Sequence, residues 1–233
     1  MEGLGTVLGV WAHPDDETYL SAALMASCVD AGRRVVCVTA TRGEGGSQDP
    51  ERWPPEQMAE IRQAELERCM AVLGVTDHRW LDYVDGTCHT IPDDEGTARI
   101  RSIIEEVRPD TVLTFGPEGM TGHEDHKAVH RWTTAAFEQV AAPAARLFYA
   151  TITPEWAERY VPLLEPHNVY LPGTPIPTPR AELGICHEFD GALLDRKISA
   201  ILEHASQVEG LYAAFGADAW RAAMSGEYYR HGP

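Results

Sequence analysis

The sequence lacks the features of a membrane, secreted or nucleic-acid-binding protein. Its 233 residues contain no apolar run of the ~20 residues that a transmembrane helix requires. The first residues show no basic stretch followed by an apolar one, so we expect no secretory signal. Positive charge is scarce, because 19 basic against 36 acidic side chains give a formal net charge of −17. Such a chain repels phosphate backbones and anionic lipid, so we expect neither nucleic acid nor a membrane as a partner.

Paired cysteines are missing as well. The five cysteines are odd in number, scattered and without a CxxC pair. This pattern is typical of reduced thiols, and it predicts a soluble, cytoplasmic protein. The hydrophobic content of 44% is ample for a core. The length suits one large α/β domain spanning residues 1–233.

Short apolar runs alternate with segments of helical periodicity. The runs predict strands at 7–12, 35–40, 79–83, 111–115, 147–150 and 185–189. Helices are predicted at 17–31, 54–73, 96–107, 123–140 and 193–207. This βαβα succession implies a mostly parallel sheet with helices on both faces. Seven of the 16 prolines fall within 153–180, where we expect an extended loop or small subdomain near the site.

The first predicted strand leads directly into a cluster of polar side chains. His13-Pro14-Asp15-Asp16-Glu17 offers one imidazole and three carboxylates where a dinucleotide-binding protein would carry glycines. Ligands bind at the carboxyl ends of strands in open parallel sheets. These groups would repel a phosphate but suit a cation, since histidine nitrogen and aspartate oxygen are ordinary zinc ligands. A nucleotide-binding Rossmann protein is therefore a poor alternative.

A second polar cluster follows the strand predicted at 111–115. A glycine-bearing loop leads to His123-Glu124-Asp125-His126. At a helix start, His123 and His126 share a face and would point back toward the sheet edge that holds His13. The two clusters together predict a catalytic metal site, which takes three protein ligands and a water. His130 is expected on the helix face, because the glutamate of an HExxH zinc motif is missing.

At these motifs the sequence resembles the PIG-L/LmbE-like family of zinc-dependent N-deacetylases. The resemblance rests on residues 12–17, on Thr41-Arg42-Gly43-Glu44 and on residues 123–126. A weaker echo is His204-Ala205-Ser206-Gln207, within the last long predicted helix. The resemblance implies a Rossmann-like, three-layer α/β sandwich, in agreement with the alternation of strands and helices.

The resemblance also implies roles for individual residues. They are the zinc (Zn2+) ligands His13, Asp16 and His126, the general base Asp15, the oxyanion-stabilising His123, and the substrate-binding Arg42 and Asp85. The chain departs from the family pattern at Glu124, where proline is common, and at Thr121, where some members carry tyrosine. These departures bear on substrate preference and on the handling of the oxyanion.

We therefore predict a zinc-dependent hydrolase of non-peptide carbon–nitrogen bonds. Its expected reaction is N-deacetylation of a small molecule that contains N-acetylglucosamine. Three alternatives stay open: an amidase that cleaves thiol conjugates, a metal-dependent phosphoesterase, and a non-catalytic domain with a structural metal. Two-metal phosphoesterases gather more carboxylates and histidines, and structural zinc sites are closed and cysteine-rich. The sequence leaves the substrate's aglycone and the formation of a homo-oligomer open.

Overall fold

The structure, a computed structural model, describes residues 3–233 and contains one seven-stranded sheet flanked by helices. The strands are β1 (Val7–Trp11), β2 (Val35–Thr41), β3 (Asp77–Tyr83), β4 (Thr111–Phe115), β5 (Arg146–Thr151), β6 (Leu183–Glu188) and β7 (Gly226–His231). The helices are α1 (Asp16–Asp30), α2 (Met58–Leu73), α3 (Asp93–Val107), α4 (Glu124–Val140), α5 (Pro154–Leu164), α6 (Gly191–Leu202), α7 (Ala205–Phe215) and α8 (Ala217–Ala223). Among these described helices, none combines the length and apolar character needed to cross a bilayer.

The sheet has the strand order β3-β2-β1-β4-β5-β7-β6. Strands β1 to β5 pair in parallel, which confirms the predicted mostly parallel sheet and α/β class. Strand β7 pairs antiparallel with β5 and with β6, and the sequence analysis missed it. Its run includes Glu227, a charge that hides the strand from a pattern of apolar residues. In the structure Glu227 is buried because Lys197 pairs with it at 2.9 Å.

The strand order places the ends of β1 and β4 side by side. The strand order reverses at β1, because β2 and β3 lie on one side of it and β4 and β5 lie on the other. In open α/β sheets such a switch point forms a crevice at the carboxyl ends of the strands. The register pairs Gly9 with Leu113. Further along, the rings of Trp11 and Phe115 meet edge-on with centroids 5.2 Å apart. The segments that follow these strands, with both polar clusters, therefore share one edge.

Apolar packing fixes this arrangement. Strands β1, β2 and β4 are buried along their whole lengths, and the main core extends from Leu4 to Tyr229. A smaller apolar cluster lies where α5 to α8 meet and includes Val208 and Trp220. The strand ends that carry the polar clusters are thus held by close-packed walls.

The helix predicted at 193–207 is wrong as a single element. The structure divides it into α6 and α7, with His204 as the residue before α7 at φ −84° and ψ 50°. Buried polar contacts at the break explain the division. The His204 ring lies 3.0 Å from a Glu17 oxygen, and the backbone N–H and hydroxyl of Ser206 donate to the Glu65 carboxylate at 2.8 and 2.7 Å. These contacts satisfy a donor of the first turn of α7.

The proline-rich segment 153–180 is not an extended loop throughout. Helix α5 occupies its first part, because Thr153 caps the helix by accepting from the Trp156 N–H and Pro154 stands at a first-turn position that needs no donor. The remainder is irregular apart from two single 3₁₀ turns. The Leu171 N–H and the Thr174 hydroxyl both donate to the Thr121 carbonyl at 2.9 Å. The segment is therefore anchored to the loop that carries His123.

Candidate metal and active site

The turn between β1 and α1 positions the first polar cluster. Asp16 Oδ2 accepts the backbone N–H of His13 at 2.8 Å and that of Ala12 at 3.2 Å. These two bonds fix the carboxylate against its own backbone at the start of α1. The other oxygen, Oδ1, lies 3.4 Å from Nε2 of His126.

The loop after β4 fixes the orientation of His126. Its Nδ1 lies 2.9 Å from the Gly119 carbonyl and 3.2 Å from the Thr121 hydroxyl, and its ring stacks on Phe115. A carbonyl only accepts, so Nδ1 carries the proton and Nε2 presents a lone pair. Burial, followed by the charges of His13 and His123, holds the pKa of His126 well below its usual range. His126 is thus a neutral imidazole that presents Nε2 to its neighbours.

Three predicted ligands form a triangle of donor atoms. Nδ1 of His13 lies 3.1 Å from Nε2 of His126, and the Asp16 carboxylate spans the two rings, with Oδ2 3.7 Å from His13 Nδ1 and Oδ1 3.4 Å from His126 Nε2. Two ligands of a tetrahedral zinc ion, each ~2.0–2.1 Å from the metal, lie about 3.3 Å apart. Separations of 3.1, 3.4 and 3.7 Å between neighbouring donor atoms of these three groups are near that value, so the groups can share a cation. All three side chains are nearly buried, as a coordinated group requires.

The other nitrogen of His13 faces two carboxylates. Nε2 lies 3.1 Å from Asp85 Oδ1 and 3.3 Å from Asp125 Oδ2. Asp125 is buried and accepts the backbone N–H groups of Gly86 and Cys88 at 2.7 and 3.0 Å. Carboxylates in this position orient a metal-binding histidine and raise its basicity. Burial alone would lower the pKa of His13, but bonds to Asp125 and Asp85 and the charge of Asp16 raise it to about 10.

Asp85 was expected to bind the substrate, but in the structure both of its carboxylate oxygens contact protein groups. One oxygen faces His13, and the other accepts the Gly45 N–H at 2.9 Å. Asp85 still lines the cleft. Asp125 was not among the predicted site residues, although its position between the two histidines of the second cluster indicated a place in the site.

Asp15 lies at a strained corner beside these donors. Its φ of 118° is rare for any residue but glycine, and such strain concentrates at functional sites. The Asp15 N–H donates to Glu17 Oε2 at 3.0 Å, and Arg62 Nη2 donates to its carboxylate at 3.2 Å. Burial raises the pKa of Asp15 to about 7, with the Arg62 charge opposing and the Asp16 charge adding to the rise.

His123 caps α4 at the open side of the cluster. Its Nδ1 accepts the Asp125 N–H at 3.3 Å, so the neutral ring carries its proton on Nε2. Its ring lies edge-on to that of His13, with centroids 4.8 Å apart. Ring nitrogens of His13, His123 and His126 all lie within 4.8 Å of one another. Burial and the positive charge of His13 lower the pKa of His123.

The structure does not bring Arg42 to the cleft. Its guanidinium lies over the Trp80 ring at 4.7 Å and donates to Asp82 at 2.6 Å and to Gln63 at 3.1 Å. The arginine that lines the cleft is Arg62, which is 4% exposed and which the sequence analysis missed. Its position on the apolar face of the helix predicted at 54–73, where a charge is unusual, was the sequence feature that could have revealed it.

A buried polar cluster lies behind Asp15. Glu17 Oε1 lies 3.0 Å from Nε2 of His204 and 3.6 Å from the Cys69 sulfur, and all three side chains are buried. Burial would raise the pKa of Glu17, but the bond to His204 lowers it. The weak His204 motif of the sequence thus acts by supporting Glu17, which in turn holds the Asp15 backbone.

The donor triangle opens into a cleft of about 800 Å³. His13, Asp15, His123 and Asp85 line its polar end, and the cleft continues to side chains of α5, α7 and α8. This volume lies in the upper part of the ~300–1,000 Å³ range of small-molecule sites. The polar end can bind a cation, hold a carboxylate beside it and present a hydrogen-bond donor from His123.

Comparison with known proteins identifies the family to which the chain belongs. A family model described as "PIG-L: GlcNAc-PI de-N-acetylase" matches residues 8–137. The chain belongs to the PIG-L family. The matched part of this family member includes both polar clusters and ends before α5.

Individual relatives agree with this membership. The chain is 32% identical to a 1D-myo-inositol 2-acetamido-2-deoxy-alpha-D-glucopyranoside deacetylase of Acidothermus cellulolyticus, over 96% of this chain and 87% of that protein. It is 37% identical to the enzyme of the same name from Kineococcus radiotolerans, over 60% of this chain. That match spans 46% of the Kineococcus protein, or about half its length.

A solved structure shares the fold. The N,N'-diacetylchitobiose deacetylase of Pyrococcus horikoshii superimposes with a TM-score of 0.69 and 21% sequence identity. The match covers 100% of this chain and 85% of that one. At this identity the likeness shows the three-layer α/β fold.

Proposed function

We propose that this protein is a zinc-dependent N-deacetylase of a small amino-sugar substrate. The donor triangle of His13, Asp16 and His126 carries the proposal, because the separations between the donor atoms of these three groups suit a tetrahedral ion with one position left for water. Family membership and the deacetylase activity of the relatives support the same reaction class. No cysteine belongs to the triangle, which argues against a structural zinc site.

The donor set favours zinc among divalent ions. Two imidazoles and one carboxylate are typical of catalytic zinc, whereas magnesium and calcium prefer oxygen ligands. When bound, zinc supplies Lewis acidity that polarises a carbonyl and lowers the pKa of water from 15.7 to about 7. Asp85 and Asp125 then keep His13 oriented through Nε2.

Asp15 is the proposed general base. Its carboxylate lines the cleft beside the donor triangle and is held by Arg62, so it can accept a proton from the attacking water. A pKa near the working pH makes an efficient base, and such a group contributes about 10²–10⁴-fold in rate. Protonated Asp15 can then pass its proton to the leaving amine.

His123 is the proposed donor to the oxyanion. Its Nδ1 is engaged by the α4 backbone, so Nε2–H is the donor that it can offer to the cleft. The ring makes this donation while neutral, which agrees with its lowered pKa. Loss of one oxyanion donor typically costs ~2.7–4 kcal/mol.

A cytoplasmic site of action is part of the proposal. All five cysteines are free, and four of them are buried. Disulfides form and persist in oxidising compartments, whereas free buried thiols suit a reducing one.

Metal analysis combined with an acetate assay tests the proposed function. The purified protein is analysed for bound metal, and acetate release from N-acetylglucosaminides is measured with and without a chelator. We expect about one zinc per chain and chelator-sensitive acetate release.

The same assay separates the alternatives. Two metals per chain with phosphate-ester hydrolysis would replace the proposal by a phosphoesterase. One zinc with cleavage of a thiol-conjugate amide but no acetate release would keep the site and change the substrate. A metal-free protein without activity would contradict the proposal.

A further inference from the structure

The far end of the cleft is lined by aromatic side chains. Tyr19, Trp156, Tyr170, Phe215 and Trp220 line it, and we call these residues the aromatic wall. They come from α1, from α5 and the segment after it, and from the α7–α8 region. The cleft is continuous, so one ligand can contact the aromatic wall and the donor triangle together.

The aromatic wall is fixed before a ligand enters. The Trp156 indole N–H donates to the Ala223 carbonyl at 2.8 Å. Trp220 is 1% exposed and packs edge-on against Phe215 with centroids 5.5 Å apart. Tyr19 meets Trp220 in the same way at 6.1 Å. A preformed apolar surface binds a ligand without the entropic cost of ordering its side chains.

The aromatic wall begins next to the proposed catalytic groups. The Tyr19 N–H donates to the Asp15 carbonyl at 3.2 Å, so Tyr19 lies in the first turn of α1 after Asp15. At the opposite side, Tyr170 directly precedes Leu171, whose N–H donates to the Thr121 carbonyl in the His123 loop. Backbone hydrogen bonds therefore connect Tyr19 and the segment of Tyr170 to the loops that form the polar end of the cleft.

Within residues 3–233, the cleft offers no free arginine or lysine to an anionic ligand. Among the described residues that line it, Arg62 is the one member of this pair of types. Its guanidinium donates to the Gly43 carbonyl at 2.9 Å, to the Pro14 carbonyl and to Asp15. The carboxylates of Asp15 and Asp85 also line the cleft. A phosphate or carboxylate on the substrate would therefore meet these carboxylates without a free arginine or lysine of the described lining to balance its charge.

We propose that the substrate carries an uncharged aromatic substituent on its amino sugar and that this group binds the aromatic wall while the amide lies at the donor triangle. The inference rests on the proposed deacetylase function. Aromatic groups bury large apolar areas and prefer edge-to-face contacts with partly buried rings like those of Phe215 and Trp156. The substituent can be joined on the aglycone side or on the acyl side, and the two positions are separated by experiment.

The test is a matched panel of glucosamine derivatives. The methyl, phenyl and myo-inositol glycosides of N-acetylglucosamine vary the aglycone, and the methyl glycoside of N-benzoylglucosamine varies the acyl group. Initial rates of carboxylic acid release by the zinc-loaded enzyme are measured, and kcat/KM is obtained for each compound. We expect one aromatic derivative to exceed the methyl N-acetyl compound by at least about tenfold, and the inositol compound to gain nothing. The better of the two aromatic derivatives identifies the side of attachment.

Variants of the wall and a matched control make the test specific. Phe215→Ala and Leu211→Ala, which shorten residues lining this end, should reduce the aromatic preference to about threefold or less. Leu202→Ala on the neighbouring α6 removes the same atoms from a residue that is 37% exposed and outside the cleft, and it should keep the preference.

The outcomes separate this inference from the proposed function. Acid release at equal efficiency from all compounds, or best from the inositol glycoside, would overturn the inference and leave the deacetylase function intact. Release from none of them would count against the deacetylase function. In that case quenching of tryptophan fluorescence by the phenyl glycoside, weakened in Phe215→Ala, would still support the aromatic wall as a binding surface, and absence of quenching would overturn it.

Discussion

The two ends of the cleft are built from different kinds of structure. The polar end lies at the carboxyl ends of two adjacent parallel strands, β1 and β4, within the part of the chain that the family model matches. Most of the aromatic end comes from α5, α7, α8 and the irregular segment between α5 and β6, beyond that match. The first has a buried sheet beneath it, and the second has helices and turns.

This difference suggests a division of labour. Groups that perform chemistry need positions fixed by a rigid scaffold, and the buried strands β1 and β4 provide one. Groups that choose a substrate can vary without disturbing that scaffold. We therefore expect substitutions at the polar end to reduce turnover of every substrate equally, and substitutions at the aromatic end to change the ratio between substrates.

The largest effect is expected from His126→Ala. This change removes a corner of the donor triangle and should abolish both metal binding and turnover, because two protein ligands do not retain a catalytic zinc. Metal content by mass spectrometry and acetate release measure the effect. His130→Ala is the matched control, since His130 lies one turn further along α4 and contacts the Phe115 carbonyl. Full zinc occupancy in His126→Ala would remove His126 from the ligand set.

Asp15→Asn should lower kcat by about 10²–10⁴-fold on every substrate and leave zinc in place. The amide keeps the shape of the side chain but cannot accept the proton. Asp82→Asn is the matched control, because Asp82 also has a positive φ but is exposed and lies outside the cleft. Near-normal turnover in Asp15→Asn would assign the proton transfer to another group.

His123→Ala should lower kcat by about 10²–10³-fold with a small change in metal content. The physical reason is loss of the Nε2–H donor that faces the developing oxyanion. Metal analysis is decisive, since a ring nitrogen of His123 lies within 4.8 Å of those of His13 and His126. Release of zinc by this variant would make His123 a ligand.

Zinc affinity should rise about tenfold per pH unit between pH 7 and 9. His13 has a pKa raised to about 10, so below that pH zinc must displace its proton, and binding releases one proton per site. His126 is already neutral there, because its pKa is lowered well below its usual range. Competition with a chromogenic chelator at several pH values measures the slope. An affinity that does not change with pH would show that His13 is neutral before zinc binds.

The smallest effect is expected from Arg42→Lys, which should change kcat/KM by less than about threefold. Arg42 is held by Asp82, Gln63 and Trp80 outside the cleft. Arg62→Lys is the contrasting variant and should lose more turnover, since lysine cannot reproduce the contacts of Arg62 with Asp15, Pro14 and Gly43. Equal losses from the two changes would mean that the Asp15 contact is unimportant.

Much of the polar end can be predicted from the sequence. His13 and Asp16 follow a continuous apolar run, His126 follows another, and the rules for parallel sheets bring such strand ends together. The motif resemblance then distinguishes Asp15 from Asp16. The structure adds the distances and the proton positions that these rules do not contain.

Such rules cannot predict the supporting residues, because the partners of these residues are distant in the chain. Arg62 reaches Asp15 from α2, and His204 reaches Glu17 from the break between α6 and α7. The aromatic wall is equally hidden, because Trp156 lies in the proline-rich segment and Phe215 and Trp220 lie beyond the last predicted helix. Their convergence depends on the antiparallel strand β7, whose buried Glu227 masks it in the sequence.

The most direct test of the metal site is anomalous diffraction at the zinc absorption edge from crystals of the zinc-loaded protein. We expect one strong anomalous peak per chain, about 2.0–2.2 Å from His13 Nδ1, an Asp16 oxygen and His126 Nε2. A peak between His13 Nε2, Asp85 and Asp125, or within the Glu17–Cys69–His204 cluster, would contradict it, since residues 3–233 could also hold an ion at these two places. Either of those positions would require a different active site.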